Sequence, residues 1–430
     1  MDEVARRATV DGVVDEVHGA SRTSPGGAGG NGRVRPLRVA LVTDAIYPYH
    51  RGGKETRTRH LAAGLAEAGL DVHVFTMHWW EGSRERVEDG VHYHSLCRVY
   101  PLYAGERRSV LEAVVFALAC LRLVTFRCDL IEADHMPHLQ LFTIRVVAWL
   151  RRVPLVSTWH EYWGLEYWRE YMGYPGFVAA AIEQVTLRLA DRLVTPSPET
   201  ADRLVAQGRS HRDVTVVPNG IDLDAIDAVA PAERGADLLY VGRLIEHKHV
   251  EHLLLAVAAL ARATGTDPSA PTSVVGPTCT IVGDGPERAR LERDVVRLGI
   301  ADRVCFLGVL ESEAEVFALM KASAVLVLPS VREGFGIVVA EALACGLPVV
   351  TTCHPDNHAR ALVVVGSTGW LCEPTPESLA EVLEVALASP RGDTAARRQA
   401  AERYAWSSSV DAFLALFDSL CNPRLGSSAA

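Results

Sequence analysis

Lysine is nearly absent from this sequence. Of 43 basic residues only three are lysines: Lys54, Lys248 and Lys321. A lysine kept against that bias marks a place where a compact ammonium is wanted and a guanidinium fork will not serve. Paired cysteines are also missing. The nine cysteines are scattered, odd in number and without a C-x-x-C. That excludes a disulfide framework and suits a reducing, cytoplasmic compartment with cysteines as small core residues. His135-x-x-His138 and His92-x-His94 lack a partner pair at structural-zinc spacing, so no metal is expected. No G-x-G-x-x-G follows the first strand candidate, which ranks a dinucleotide-dependent dehydrogenase or epimerase last. A basic excess is missing too. The net charge of −10 argues against nucleic acid as the main partner.

Long uncharged runs are lacking as well. The most hydrophobic segment, "SVLEAVVFALACLRLVTF" (Ser109 to Phe126), is short for a bilayer and broken by Glu112 and Arg122. It is expected to be a largely buried helix. The alternative is a helix lying on a membrane, with Gly105 to Arg108 meeting lipid head groups and the protein peripheral at the inner membrane face. Residues 1 to 35 run into "SRTSPGGAGGNGRVRP", the composition of a flexible tail and not of a signal peptide.

What is present is alternation. Five β-branched runs, Arg38–Thr43, Asp71–Thr76, Asp129–Asp134, Pro154–Thr158 and Arg192–Ser197, are separated by helical stretches. Leu238–Gly242, Cys279–Gly283, Val304–Gly308, Ala324–Pro329 and Pro348–Thr352 repeat the pattern. Apolar strands alternating with helices make parallel sheets covered on both faces. The expected fold class is therefore α/β, with two doubly wound, Rossmann-like domains facing across a cleft. They span residues 36–217 and 218–404, joined near "VVPNGID", and a final helix at 405–423 packs back on the first. Ligands of such sheets bind beyond the carboxyl ends of the strands.

Several residue groups fall at those ends. Gly52 and Gly53 open a helix after the first strand, where backbone amides can approach a phosphate, or where the chain simply turns. Arg243 and Lys248 follow "YVG", a fork and a point charge suited to a diphosphate. Gly283 lies at the next strand end. In "REGFGIVVAEALACG", Glu333 is on a loop and Gly334, Phe335 and Gly336 expose amides. A helix is expected from near Ile337 to a Gly346 cap. Ile337 and Val338 would offer its first amides. Glu341 sits in an apolar run, where a carboxylate needs partners such as the vicinal diol of a ribose. Asp222-Leu-Asp224 follows a turn and reads as structural. "TWHEYWGLEYWREYMGYPG" (Thr158 to Gly176) is aromatic enough to stack on sugars, form a lid, or pack the domain. Tyr162 and Trp163 in it, and His135 at another strand end before it, are the candidates for contact with a second substrate, the acceptor.

This ordered set resembles glycosyltransferase family 4, of the GT-B fold, over nearly the whole chain beyond the tail. The pieces are Gly52-Gly53, "TWHEYWG", "VVPNGID", "YVGRL" with Lys248, "VGDGPE" and the two glutamates. The resemblance implies that Arg243 and Lys248 hold a donor diphosphate, Glu333 the donor sugar and Glu341 the ribose. It places His160 near the reacting centre. It also implies a retaining, metal-independent transfer from a nucleotide-diphosphate sugar, UDP- or GDP-linked. That sugar is a co-substrate; no cofactor is expected. The acceptor hydroxyl would belong to a sugar-like metabolite, a glycan or a lipid-linked molecule. The alternative is a non-catalytic nucleotide-sugar-binding or partner subunit. After Thr352 the pattern departs: a glycine pair and a glutamate are usual, and "CHPDNHARALV" stands here, with His354, Asp356 and Asn357 of open role.

Overall fold

All ten expected strands occur in the computed structural model, which describes residues 35–50, 52–104, 107–264, 276–389, 392 and 394–422. The expected tail lies almost wholly outside the described residues. The first sheet contains β1 (Arg38–Val42), β2 (Asp71–His78), β3 (Glu85–Glu88), β4 (Val91–Arg98), β7 (Leu130–Asp134), β8 (Leu155–Thr158), β9 (Arg192–Thr195) and β10 (Val214–Val216). Its order is β10-β9-β8-β7-β1-β2-β4-β3. A separate hairpin pairs β5 (Tyr103–Ala104) with β6 (Arg107–Arg108). The second sheet has β11 (Leu238–Val241), β12 (Cys279–Val282), β13 (Val304–Gly308), β14 (Val325–Leu328), β15 (Val349–Thr352) and β16 (Gly369–Cys372), in the order β13-β12-β11-β14-β15-β16. Pairing in the two sheets is parallel except at the β3–β4 edge. There Asp89 and Gly90, both at positive φ, make the tight turn.

In each sheet the chain starts in the middle and winds both ways. The switch points fall between β1 and β7 and between β11 and β14. Loops leaving those strands are where a ligand is expected.

Helices α1 (Gly53–Glu67), α2 (Val110–Ala119), α3 (Leu139–Arg151), α4 (Gly164–Met172), α5 (Gly176–Thr186) and α6 (Pro198–Ala206) belong to the first lobe. The second has α7 (Leu223–Ala228), α8 (Val250–Thr264), α9 (Arg288–Leu298), α10 (Glu313–Ala322), α11 (Ile337–Ala344), α12 (Pro376–Ala388) and α13 (Thr394–Glu402). The last helix, α14 (Trp406–Cys421), crosses back. Its Val410, Phe413 and Phe417 share a core with Leu61 and Leu65 of α1. The two crossing strands of chain touch: Ile221 bridges Ala405, and Gly220 lies so close under Trp406 that a Cβ would meet the ring at 2.2 Å. Asp222 caps α7, accepting from Ala225 N at 2.9 Å.

One expectation fails. The run Ser109–Phe126 is not a largely buried helix. It is α2 followed by a 3₁₀ turn, Cys120–Thr125. Phe116, Ala117, Cys120 and Leu123 face the core, whereas Leu111, Val114, Leu118, Leu121 and Val124 are exposed. Mean hydropathy suggested burial; the helix is short and only one side has a sheet to cover. No described helix is long and apolar enough to cross a membrane.

Candidate active site

In the second lobe the loops after β11 and β14 meet. Lys248 lies in a 3₁₀ turn (Glu246–Lys248) and its ammonium pairs with the Glu333 carboxylate. Glu333 is pinned by backbone bonds: its N donates to Asp356 O (3.0 Å) and its O accepts from His358 N (2.9 Å). Gly336 precedes α11 at φ 83, and a Cβ there would sit 2.4 Å from Ala359 Cβ. Only glycine fits, and α11 therefore starts with its first amides pointing back at the Glu333 loop. One turn in, Glu341 is half-buried and its carboxylate has no hydrogen-bond or ion-pair partner among the described residues. Burial, with the charge of Glu313 second, pushes its carboxyl up to about 7. Arg243 donates from Nη1 to Tyr103 Oη of the first-lobe hairpin (3.2 Å), with Cζ 5.3 Å from that ring.

In the first lobe, Asp44 lies just beyond β1, fully buried, and both Lys54 and Arg108 close on it. Burial alone would raise its carboxyl; those two cations outweigh it and hold it low. Glu112, buried beside Arg108, has no hydrogen-bond partner for either oxygen, and burial, reinforced by Asp44, raises its carboxyl to about 7. At the end of β7, Asp134 Oδ1 lies 2.8 Å from His160 Nε2. Burial opposes its charge, but the His160 hydrogen bond and the charges of Lys54, His160 and Arg57 prevail, so Asp134 stays ionised and orients that ring.

The lobes touch around these two groups. A Cβ on Gly334 would come within 2.3 Å of His160 O, and one on Gly53 within 3.2 Å of Ile337 Cδ1. The glycines thus let the Glu333 loop and the first-lobe loops meet closely, at Gly334 backbone to backbone. Arg332 reaches across, donating to Glu161 (2.8 Å) with its guanidinium 3.6 Å from the Tyr167 ring centroid and 5.1 Å from that of Trp163. Asp356 pairs with Arg203. His358 Nδ1 lies 3.1 Å from Ser197 Oγ and 3.2 Å from Thr200 Oγ1. Asn357 bonds only its own lobe, to Thr351 Oγ1 and Thr352 O, and His354 accepts from Asp356 N. The departure "CHPDNH" is therefore a latch between lobes. Sequence reasoning missed Tyr103, Asp44, Asp134, Arg203, Arg332 and His358 in these roles. The visible signals were that Arg332 abuts Glu333, that Asp134 ends a strand and that Asp44 lies just beyond one.

Some expectations are corrected. His135 is 2% exposed, stacked on Trp159 at 4.9 Å and bonded to Thr158 O, so it has no surface to give an acceptor. Phe335 turns its ring into the core against Tyr404, leaving only its backbone to the site. Gly283 (φ 128) passes so close to Gly242 O that a Cβ would clash at 1.9 Å, a packing need that explains the glycine without a ligand. Tyr162 is half-buried and donates to Gln184 (3.2 Å). Trp163 packs on Tyr167 and Trp168 beneath Arg332. Arg108, placed near lipid in the alternative reading, faces Asp44; Gly105 and Glu106 lie outside the described residues. Among the described residues one group, His249, Glu251 and His252, has donor atoms within 4.8 Å of one another. It sits where α8 begins, with Arg290 3.4 Å from Glu251, and both the helix dipole and that guanidinium oppose a cation.

Two doubly wound sheets with a site between their switch points define the GT-B fold, and solved structures agree. Sucrose-phosphate synthase from Thermosynechococcus elongatus superposes with a TM-score of 0.71 at 22% identity, covering 89% of this chain and 99% of that one. Anabaena HepE, solved in complex with UDP-glucose, gives 0.64 at 19%, covering 89% and 100%. The family description "Glycosyltransferase Family 4" matches residues 51–225 and "Glycosyl transferases group 1" matches 224–405. The D-inositol 3-phosphate glycosyltransferase of Geodermatophilus obscurus is 30% identical over 420 residues, 89% of each chain. The 2-deoxystreptamine glucosyltransferase of Streptomyces kanamyceticus is 36% identical over 185 residues, 40% of this chain and 45% of that protein. The chain belongs to glycosyltransferase family 4.

Proposed function

We propose that the protein is a retaining hexosyltransferase that takes a nucleoside-diphosphate sugar as co-substrate, needs no metal, and glycosylates an acceptor hydroxyl. The observation that carries this is the Lys248–Glu333 pair on the loops before the α11 N-terminus, with Arg243 just beyond β11 and the unpartnered Glu341 carboxylate one turn into α11. A diphosphate at that terminus would be neutralised by two cations and helix amides, the work a metal would otherwise do. Glu341 has acceptor oxygens to offer a ribose diol. Glu333, held by Lys248, would take hydroxyls of the donor sugar. His160, oriented by Asp134, stands on the acceptor side, together with Tyr162 and Trp163. As the bond from C1 to the diphosphate oxygen breaks, the acceptor oxygen bonds C1 on the same face. The departing oxygen takes the acceptor proton. HepE's complex with UDP-glucose and the cyclitol named for two relatives support testing a UDP-sugar and a ring polyol first.

The experiment is a panel of UDP- and GDP-sugars scored by melting temperature, since a ligand of the native state raises it. Turnover and product anomer by NMR follow, with and without a chelator. Retention, unchanged by the chelator, is expected. An inverted product, or a glycosyl adduct trapped on a carboxylate, overturns the mechanism. A melting shift without any turnover favours the binding-subunit alternative.

A further inference from the structure

Of the 25 large apolar side chains left exposed among the described residues, 15 lie between Val110 and Val185. They are ordered, not scattered. On α3, Phe142, Val146, Trp149 and Leu150 recur at helical spacing along the outer side, with Trp149 69% exposed. On α2 and its 3₁₀ extension, Leu111, Val114, Leu118 and Leu121 do the same. The two helices pack on each other, and α3 also meets α5, which exposes Phe177 and Val178. The stripes therefore adjoin in one face, more than the single surface apolar residues that need no explanation.

Charge decides what covers it. Residues 107–152 hold seven arginines and four acids. Three of those acids, Glu112, Glu132 and Asp134, are buried. Arg107, Arg127, Arg151 and Arg152 make no ion pair among the described residues. A cavity of about 490 Å³ opens at the end of α3, where Arg145, paired with Asp191, and Arg152 flank Trp149 and Leu150. A second copy is a poor occupant. A two-fold contact sets the same patch against itself and would bring the unpaired arginines of both copies together. A surface with apolar depth and phosphate at its rim satisfies both features. The chain as a whole, at −10, is repelled by such a surface; this basic face is drawn to it.

We propose that the outer face of α2 and α3 docks on an anionic phospholipid surface, with apolar side chains entering the acyl boundary and Arg107, Arg127, Arg151 and Arg152 meeting head-group phosphates. Flotation of the full chain with vesicles of phosphatidylcholine, with and without phosphatidylglycerol, tests it. Binding to the anionic vesicles is expected, at least about tenfold stronger than to neutral ones and weakened by salt. Leu118→Glu and Trp149→Glu should each lose it about tenfold or more. Val296→Glu, on the second lobe and 71% exposed, should not. Melting temperature reports whether each variant folds. Should the acidic variants fail to fold, Arg151→Gln with Arg152→Gln must give the same loss. No binding, equal partition onto neutral vesicles, or a lipid-free dimer that Trp149→Glu disperses would each overturn the proposal.

Discussion

At the end of β1 three charges close on one another: Asp44 is shared by Lys54 and Arg108, deep in the first lobe. At the ends of β11 and β14 charge is held differently. Lys248 and Glu333 pair at the cleft; among the described residues Arg243 has only a tyrosine hydroxyl from the other lobe, and the Glu341 carboxylate has no partner. Both groups stand at switch points of similar sheets. The first uses charge to fix the shape of a floor. The second leaves its charges incomplete, which under the proposed function a diphosphate donor would complete. A buried charge set that satisfies itself adds little to binding but is costly to break, whereas one left incomplete stabilises whatever completes it.

The contrast can be broken from either side. The largest effect is expected at the incomplete site: Lys248→Ala or Glu333→Gln should lower kcat/KM about 10³-fold with the fold retained by circular dichroism. Near wild-type rates in either would remove these residues from the reaction. Next, Asp44→Asn should cost stability, about 3 kcal/mol in a denaturant titration, because it strands Lys54 and Arg108. The pH dependence has a definite sign. The folded Asp44 carboxyl lies below its ordinary 3.8, so its contribution is complete above that value and is lost as pH falls below it. The variant should show a shallower acid limb.

Glu341 runs the other way. Its carboxyl is raised from 4.5 to about 7, so the fold favours the protonated form and loses stability as pH rises through that window. Donor binding through the ribose needs the ionised form. Affinity should therefore fall by up to about tenfold per pH unit below 7, read by calorimetry of UDP. Glu341→Gln should flatten that profile and raise the melting temperature at pH 8. A pH-independent affinity in the wild type would separate Glu341 from the donor. The smallest effect is at the contact between the two regions. Tyr103 holds Arg243 when no diphosphate is present, so Tyr103→Phe should lower the donor KM about threefold with kcat unchanged. A rise in KM would make Tyr103 a support for the donor instead of its competitor.

The strands and the second-lobe site were legible because each is written in one short stretch. Runs such as "AVLVLP" bury both faces, and Glu333 through Glu341 lie on one loop and the helix it enters. The scarcity of lysine proved informative: Lys54 sits on Asp44, Lys248 on Glu333, and Lys321 donates to Ile226 O and Val229 O at the end of α7. Strand β4, "VHYHSLCR", one in from the sheet edge, was missed because its polar residues dilute the apolar signal that marks a central strand. His135 was misjudged because strand-end position alone does not say which way a ring turns, and Trp159 takes it inward. The latch was not legible. Arg203 with Asp356 and Ser197 with His358 are more than 150 residues apart, and only the closing of one lobe on the other brings them together.

The return of α14 has a consequence for synthesis. The apolar groove on α1 is filled by Val410, Phe413 and Phe417, which leave the ribosome some 190 residues after β10. At about 5–20 residues per second the first lobe waits roughly 10–40 s with Leu61 and Leu65 uncovered. The nascent first lobe thus lacks one wall of its core until the last helix arrives, and a fragment cut at the linker would lack it permanently.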